Sequence, residues 1–339
     1  MRATIRSRPY ALLAMATILL FFSLLLFKGS LKSSQVVART SWSFIPRTLV
    51  VMAFSECGDI CTRNLQYFTR VGVHKHATTD FIIVSNGPCT YCQSDEFKQR
   101  LKYPNVKFYE RENKGYDFAA YHSALHTVDV ENYKYFIFLN SGMRGPMVPR
   151  YQLHDLKNWP NIFTSMLNDQ VKLVGPSISC EIQIHVQSFL FATDMIGLKL
   201  FMEKGVFYSG AQNIDELVHR CELGMTNHIF DAGYSIDALS AWDSKYDFKK
   251  LWKKDKGKGA CFEGRNPTRY AWYGGNYPMP PLLTTFIKRG GNLLFLVDHC
   301  LLLLGTIRGG CPDNVCPVDG PTDDMSAMIE AELGYKSNT

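Results

Sequence analysis

The residues best suited to chemistry in this chain lie in four short polar clusters, each of which directly follows an apolar run. The clusters are Ser55/Glu56, Ser85/Asn86/Gly87, Asn113/Gly115/Asp117 and Asn140/Ser141. Short, continuously apolar runs are typical of buried parallel strands, and ligands bind beyond the carboxyl ends of such strands. One polar cluster at a strand end would be ordinary turn chemistry. Four in succession predict a site large enough for a nucleotide.

The third cluster, Asn113–Asp117, lies between a predicted strand and a predicted helix. Backbone N–H groups and the helix dipole favour an anionic ligand at such a place. Gly115 would permit a positive φ or the close approach of a diphosphate, and Asp117 would hold a ribose hydroxyl or an ion. The alternative is that Asp117 only caps the helix or serves as an acid in its first turn.

Six apolar runs predict the strands that would position these clusters. They are Arg47–Phe54, Asp80–Val84, Val106–Tyr109, Tyr135–Leu139, Val171–Val174 and Ser188–Ala192. Helical patterns follow several of these runs, and this order predicts βαβ units and an α/β fold with a mostly parallel sheet flanked by helices. Two further helices are predicted at Asn213–Leu223 and Asn292–Leu304.

An uncharged apolar run, Tyr10–Phe27, follows three arginines and ends before Lys28. A helix of this length can just cross the roughly 30 Å hydrocarbon core of a bilayer. The arginines place the N-terminus in the cytosol, so the rest of the chain would lie in the lumen of the secretory pathway or outside the cell. We therefore predict a signal anchor. One alternative, a cleaved secretory signal, would have a shorter apolar stretch followed by small residues. The other alternative is a purely structural apolar helix.

The predicted domain organisation follows from this anchor. Residues 1–9 form a cytosolic tail, 10–27 the membrane-spanning helix, and 28–45 a polar, Ser-rich stem. Residues 46–316 suit one large lumenal α/β domain better than two small ones. Residues 317–339 are predicted to be a weakly held tail.

Charge patterning narrows the possible partners. The net charge of +6 comes partly from a basic run at Lys249–Lys258, and such a run is typical of a solvated, mobile loop. Nucleic-acid binding would need basic residues interleaved with stacking aromatics across a surface. We therefore predict no nucleic-acid partner, and a membrane partner only through the N-terminal helix.

Ten cysteines occur in the chain, and an oxidising lumen would let them form disulfides. The spacings of Cys57/Cys61 and Cys89/Cys92 are those of zinc half-sites or of local crosslinks. Crosslinks are favoured, because both pairs lie in or beside predicted βα connections.

The stretch from Glu112 to Pro149 reads ENKGYDFAAYHSAL and then, after a short connection, YKYFIFLNSGMRGPMVP. Here the chain resembles the GT-A glycosyltransferases, and within them the rhamnan-synthesis-F-like group and its eukaryotic type II membrane relatives. The likeness lies in an N-x-G-x-D turn that opens a helix, then an aromatic strand that ends in a polar motif and Gly-Pro. It continues through VGPSI, HVQSFLFAT and ELGMT, and covers roughly Arg47–Asn292.

The resemblance implies a GT-A (Rossmann-like) domain that moves a sugar from a nucleotide-sugar donor to a glycan or glycoconjugate acceptor. It implies a single-pass type II protein of the Golgi or endoplasmic reticulum membrane. The donor would be held by the first half of the domain and the acceptor by the second. The predicted donor-binding residues are Ser55, Glu56, Asn86, Asn113, Gly115, Asp117, Asn140, Ser141 and Arg144.

In the family pattern the strand matching Tyr135–Leu139 ends in D-x-D, whose carboxylates bind a divalent ion that bridges the diphosphate. This chain has Asn140-Ser141-Gly142 there, and neither Asn nor Ser supplies negative charge. Asp117 is the nearest substitute ligand for Mg²⁺ or Mn²⁺. Cationic side chains could instead neutralise the diphosphate, and the candidates are Arg144, Arg265, Lys288 and Arg289.

An inverting transferase needs a carboxylate or a histidine to take the proton of the acceptor hydroxyl. The candidates, in order of preference, are Glu222, Asp215 and Glu216, which lie in the segment where GT-A enzymes place this base. Asp215 and Glu222 are close to two helical turns apart, so they could share a face. The predicted acceptor contacts are His185, Trp272 and Tyr273, the aromatic pair by stacking on a sugar ring.

Other interpretations stay open at this point. The acids could be solvated helix charges, His185 a structural residue, and the aromatic pair part of the core. The missing D-x-D also fits a catalytically inactive relative that binds glycans or scaffolds other transferases. A phosphosugar or nucleotidyl transferase would share the diphosphate site, but it would release pyrophosphate or a nucleoside monophosphate.

Overall fold

The computed structural model describes residues 46–148, 156–241, 246–261 and 284–288. These residues belong to one compact unit that begins at Pro46. The predicted anchor, stem and C-terminal tail, and the predicted helix at Asn292–Leu304, lie outside them. Within the described ranges, no helix is long and apolar enough to cross a membrane.

A seven-stranded sheet forms the centre of the domain. Its strands are β1 (Thr48–Phe54), β2 (Thr79–Asn86), β3 (Val106–Arg111), β4 (Tyr135–Asn140), β6 (Val171–Gly175), β9 (Leu190–Asp194) and β10 (Ser235–Ala238). They are ordered β10-β6-β9-β4-β1-β2-β3. Only β9 runs antiparallel to its neighbours, β4 and β6. The predicted mostly parallel sheet is therefore confirmed.

Two small antiparallel pairs lie beside this sheet. β5 (Met143–Arg144) pairs with β11 (Ile287–Lys288), and β7 (Ile178–Ser179) pairs with β8 (His185–Val186). The first pair brings Lys288 opposite Met143, just after the end of β4. Strands of two residues carry no readable alternation, so the sequence did not predict either pair.

Helices cover both faces of the sheet. They are α1 (Asp59–Tyr67), α2 (Asp95–Arg100), α3 (Tyr116–Leu125), α4 (Pro160–Thr164), α5 (Met195–Glu203), α6 (Ile214–Leu217), α7 (Leu223–Asp231) and α8 (Phe248–Trp252). A π-helical turn, Val218–Glu222, joins α6 to α7. The helix predicted at Asn213–Leu223 is therefore divided by this turn and extends to Asp231.

The core explains why the strands read as continuous apolar runs. Leu49 and Val51 of β1 pack on one face with residues of α3, α5 and α7. Val50 and Met52 pack on the opposite face with residues of α1, α2 and α4. Because successive side chains of a strand point to opposite faces, a strand covered on both sides must be apolar at every position.

One edge of the sheet collects the residues that follow the parallel strands. The carboxyl ends of β1, β2, β3, β4, β6 and β10 lie there, because these strands all run in one direction. The antiparallel β9 starts at the same edge, where Leu190 pairs with Leu139 of β4. We call this the carboxyl edge.

Disulfides form at both short cysteine spacings, Cys57–Cys61 and Cys89–Cys92. The predicted crosslinks are thus confirmed. A third disulfide joins Cys180 to Cys261 across a long stretch of chain, and its connectivity could not be deduced from spacing. It holds the end of the basic run near β7.

Candidate active site

Asp117 and Asn140 meet at the carboxyl edge. Asp117 lies in the first turn of α3, where its Oδ1 accepts a hydrogen bond from Phe118 N at 3.0 Å. Its Oδ2 accepts one from Asn140 Nδ2 at 2.8 Å. The orientation of the Asn140 amide is fixed, because Asn140 Oδ1 accepts the N–H of Gly142 at 3.0 Å and only an oxygen can do so. A donor nitrogen therefore faces Asp117.

The surroundings of Asp117 disfavour its charged form. Burial raises the pKa of Asp117, and the negative charge of Glu222 raises it further, against the opposing hydrogen bonds from Asn140 and Phe118. The second effect means that the two carboxylates lie within electrostatic reach of each other.

Glu222 is held by two side chains, one from just before β9 and one from β8. Its Oε2 accepts a hydrogen bond from Ser188 Oγ. Its Oε1 lies 3.2 Å from Nε2 of His185, and the two side chains are 22% and 6% exposed. The other ring nitrogen of His185, Nδ1, donates to the carbonyl oxygen of Gln183 at 2.9 Å. This bond fixes the ring so that Nε2 faces the carboxylate.

The main chain aligns this group. Val186 N of β8 donates to Thr226 Oγ1 of α7 at 3.1 Å, one helical turn after Glu222. The helix that carries the carboxylate is therefore fixed against the strand that carries His185. Both side chains are preorganised by secondary structure rather than by a loop.

Electrostatics favour the charged form of Glu222. Burial alone would raise its pKa, but the hydrogen bond and charge of His185, the hydroxyl of Ser188 and the positive charge of Lys288 together lower it below the ordinary value. Lys288 reaches this neighbourhood because β11 pairs with β5. Glu222 is therefore an ionised, oriented carboxylate at neutral pH.

The other two candidate bases do not join this site. Asp215 is exposed to solvent. Glu216 Oε2 accepts the N–H of Gln212 at 3.0 Å, while Asn213 Oδ1 accepts the N–H of Glu216 at 2.9 Å. These are helix-capping bonds. The π turn changes the angle per residue, so Asp215 and Glu222 do not share the face that α-helical spacing would give them.

Asn86 and Gly115 support the turn that presents Asp117. Asn86 Nδ2 donates to Tyr116 O at 2.9 Å, and its Oδ1 accepts from Arg111 Nη1 at 2.5 Å. Gly115 adopts a φ of +76°, and a Cβ there would lie 2.2 Å from Ser209 O. The positive φ expected of Gly115 is present. The close approach is made by the Ser209 backbone, which leaves no room for a diphosphate at this Cα.

The remaining predicted donor residues divide into buried and exposed sets. Ser141 is buried, and its carbonyl oxygen accepts from Asn64 Nδ2 at 2.9 Å. Arg144 is also buried, with its guanidinium 4.8 Å from the centre of the Tyr67 ring. Ser55 is half-buried, with its N–H 3.5 Å from Ser141 Oγ. Glu56 and Asn113 are exposed. The predicted residues Trp272, Tyr273, Arg265 and Arg289 lie outside the described residues.

The donor set does not fit a divalent cation. The Asn140 amide turns its nitrogen toward the Asp117 carboxylate, so the two side chains do not present converging oxygens. Such cations need converging oxygen ligands. Among the described residues, no group of three His, Cys, Asp or Glu side chains could hold a metal ion.

Ser188 and Gln183 complete the Glu222 group but were not predicted from the sequence. Ser188 falls in the stretch from His185 to Thr193 that carries part of the family resemblance, whereas Gln183 lies just before that stretch. The signal for Ser188 was its place just before the start of β9. A strand that enters the sheet antiparallel puts its preceding residues, rather than its following ones, at the carboxyl edge.

Comparison with solved structures gives partial likenesses at low identity. A mannosyltransferase from Pyrobaculum calidifontis, PcManGT in complex with GDP-Man and Mn²⁺, is 10% identical, covering 57% of this chain and 54% of that chain with a TM-score of 0.40. S. aureus TarS 1-349 with UDP-GlcNAc is 12% identical over 38% of this chain and 33% of that chain, with a TM-score of 0.27. GalNAc-T7 with UDP, GalNAc and Mn²⁺ is 11% identical over 30% and 19%, with a TM-score of 0.22.

This chain thus spans about half of the mannosyltransferase and less of the other two. No curated protein matches the sequence. A family model described as rhamnan synthesis protein F matches residues 81–254, which is just over half of the 339 residues. The matched region includes α3, β4, the start of β9 and the Glu222 group. The chain belongs to the rhamnan synthesis protein F family.

Proposed function

We propose that this protein is a glycosyltransferase that moves a sugar from a nucleotide-sugar donor to a glycan or glycoconjugate acceptor. The observation that carries the proposal is an oriented carboxylate, Glu222, which His185 and Ser188 hold beside the carboxyl edge where Asp117 and Asn140 meet. Family membership supports the reaction class. The solved structures with partial likeness have nucleotide or nucleotide-sugar ligands.

In the proposed reaction Glu222 is the general base of an inverting transfer. It takes the proton of the acceptor hydroxyl while the acceptor oxygen forms a bond to the anomeric carbon of the donor sugar. The bond from that carbon to the diphosphate oxygen breaks, and the nucleoside diphosphate leaves with the electron pair. The fixed orientation of the carboxylate suits this task, since a base must lie within hydrogen-bond reach of the proton it removes.

His185 then has a different role from the acceptor contact that the sequence predicts. Its two ring nitrogens face Gln183 O and Glu222, so the ring is occupied by the protein on both sides. We assign His185 as a positioning residue that orients Glu222 and keeps it ionised. Ser188 supports the second oxygen of the same carboxylate.

The donor is proposed to lie along the ends of β2, β3 and β4, with Asp117 near a ribose hydroxyl. Because the donor set there does not fit a divalent ion, positive charge for the leaving diphosphate would come from protein side chains. Lys288 is a candidate, because its positive charge acts on Glu222. It is exposed on β11 and free to turn toward a ligand at the edge.

The location of the protein is also a proposal. The arginines before Tyr10 and the uncharged span to Phe27 support a signal anchor in the Golgi or endoplasmic reticulum membrane. The domain from residue 46 would then lie in the lumen. Protease treatment of sealed microsomes should spare the domain, whereas its digestion without detergent would contradict this topology.

A donor screen tests the proposed reaction. Purified protein is incubated with a panel of nucleotide sugars, and release of free nucleoside diphosphate is measured. We expect release from at least one donor, and expect it to fall in Glu222→Gln. Release of pyrophosphate or nucleoside monophosphate would indicate a phosphosugar or nucleotidyl transferase instead.

A second candidate function is a catalytically inactive glycan-binding or scaffolding protein. Asn140 favours it, because this residue stands where the family pattern has a carboxylate. Such a protein would bind glycan without releasing nucleotide from any donor in the screen. Binding of a nucleotide sugar followed by its turnover would exclude this candidate.

A further inference from the structure

The strongest concentration of positive charge in the described residues lies on and after α8. Six lysines occur between residues 249 and 258, together with Asp255. They are Lys249, Lys250, Lys253, Lys254, Lys256 and Lys258, and we call them the lysine face. All but Lys249 are exposed. Within the described ranges, none of the six forms an ion pair with a carboxylate.

This segment is fixed in place, unlike the mobile loop that its composition predicts. Asp247 Oδ1 caps α8 by accepting the N–H of Lys250 at 3.0 Å. Phe248 is buried, and Trp252 packs against Phe230 with the ring centres 5.2 Å apart. The apolar side chains of the segment therefore face the domain, and the lysines are left on the outer side.

The lysine face adjoins the Glu222 group through the main chain. Ile184 N donates to Lys256 O at 2.9 Å, and Ile184 directly precedes His185. Packing is tight here, because a Cβ at Gly257 would lie 2.2 Å from Ile184 Cδ1. The Cys180–Cys261 disulfide joins the same two segments. The lysine-bearing segment is thus held against the strand that carries His185.

We propose that the lysine face is a docking surface for an anionic glycan, one that carries sulfate, phosphate or carboxylate groups. The proposal rests on the proposed function in one respect, that the bound glycan serves as the acceptor. Several exposed lysines held side by side repel one another, and a polyanion that bridges them removes this repulsion. The lysine face is joined to the strand that carries His185, one of the two side chains that hold Glu222.

The surface fits an anionic glycan better than it fits single-stranded nucleic acid or a membrane. Single-stranded nucleic acid would need exposed aromatics on which bases stack, but the one tryptophan of the segment packs against Phe230. An interfacial membrane helix would need apolar side chains that enter the lipid. The large hydrophobic side chains exposed in the described residues lie elsewhere, at Ile60, Tyr116, Ile182, Ile196, Met202 and Ile214.

Binding of dextran sulfate to the full-length protein tests the surface, with unmodified dextran as the neutral counterpart. The test variant carries Lys253→Gln, Lys254→Gln, Lys256→Gln and Lys258→Gln. The matched control removes the same charge near β2 and β3, through Lys75→Gln, Lys98→Gln, Lys102→Gln and Lys107→Gln, all exposed. Each exposed lysine–sulfate pair contributes only modestly to the affinity for dextran sulfate. We therefore expect about a tenfold weaker affinity in the test variant and a less than about twofold change in the control.

The wild-type affinity should also fall as salt rises, and unmodified dextran should not bind. Equal losses in the two variants, or no binding of dextran sulfate, would overturn the proposal. Tighter binding to phosphatidylserine vesicles or to an oligothymidine would overturn it in favour of a lipid surface or a nucleic acid. The assay needs no donor, so a protein that binds dextran sulfate here but turns over no nucleotide sugar would refute the proposed function alone.

Discussion

Asp117 and Glu222 share the carboxyl edge, but their surroundings act on them in opposite directions. Asp117 receives hydrogen bonds from neutral donors only, and burial raises its pKa. Glu222 is half-buried, and burial opposes its charge, yet His185, Ser188 and Lys288 together lower its pKa. Two carboxylates whose environments separate their proton affinities can serve different tasks in one site. Here Asp117 suits a hydrogen-bonding role toward the donor, and Glu222 suits proton removal.

The largest expected effect comes from Glu222. In Glu222→Gln the side chain keeps its shape and an oxygen that can accept from Ser188, but it cannot take a proton. We expect the transfer rate to fall by about 10²–10⁴-fold, the usual contribution of a general base. Initial rates with the donor from the screen measure this. Asp215→Asn, on the exposed helical turn before the π turn, should change the rate less than about twofold. A larger loss in Asp215→Asn than in Glu222→Gln would identify Asp215 as the base.

Substitution of Asp117 should weaken binding of the nucleotide sugar more than it slows the chemical step. Asp117→Ala removes the acceptor of two hydrogen bonds and leaves Asn140 Nδ2 without its partner. Each hydrogen bond lost to a ligand or to a buried partner costs about 1–3 kcal/mol. We therefore expect a roughly 10- to 100-fold higher Kd for the nucleotide sugar by titration calorimetry. Unchanged affinity, with only the rate reduced, would give Asp117 a role in the chemical step instead.

The pH dependence separates orientation by His185 from a purely structural role. Activity requires ionised Glu222 and is lost as the pH falls through its pKa, which lies below the ordinary value. His185→Asn keeps a donor for Gln183 O and removes the ring nitrogen that faces Glu222. The acid limb of kcat/KM should therefore move to higher pH. His126→Asn, an exposed histidine on the α3 side, should leave the limb in place; an acid limb that stays fixed in both variants would contradict the assignment.

Replacing Gly115 by alanine should destabilise the protein more than the same replacement at an ordinary turn glycine. Gly115→Ala adds the cost of a left-handed φ and a contact with Ser209 O, whereas Gly233 has a φ of +85° and open space around it. We expect Gly115→Ala to lower the free energy of unfolding by about 2 kcal/mol more than Gly233→Ala does. Urea unfolding of the two variants measures this difference. Equal costs, combined with lost donor binding in Gly115→Ala alone, would restore a ligand contact at this glycine.

The smallest effect is expected from metal removal. Asn140 places an amide nitrogen beside Asp117 where a D-x-D enzyme has a second carboxylate, so the binding of the sugar donor should depend less on a divalent ion than in a D-x-D enzyme. Titration with and without chelator should give similar affinities. Complete loss of binding in chelator, restored by Mn²⁺, would show that Asp117 or another acid acts as a metal ligand after the Asn140 side chain moves.

Much of the fold could be predicted because buried strands leave a strong signal. β1 and β4 are apolar at nearly every position, since helices cover both faces of the sheet. The direction of β9 could not be predicted in the same way, because a buried run reads the same whether it is parallel or antiparallel. That direction decides which flanking residues reach the edge, and it is why Ser188 was missed.

The site was less predictable for a related reason. Glu222 was preferred on family resemblance, but its neighbour His185 gave no sign that it would face a carboxylate 37 positions away in sequence. The π turn that separates Asp215 from Glu222 has no periodicity of its own. Lys288 reaches the site through a two-residue strand pair, and such pairs are set by tertiary packing rather than by local sequence.

The most direct test of the central claim is a crystal structure of Glu222→Gln with the bound donor identified in the screen. The variant should hold the donor without transferring its sugar. We predict that the nucleotide lies along the ends of β2, β3 and β4 with a ribose hydroxyl near Asp117, and that the anomeric carbon faces position 222. A donor bound away from the carboxyl edge, or with its anomeric carbon turned away from position 222, would contradict the account.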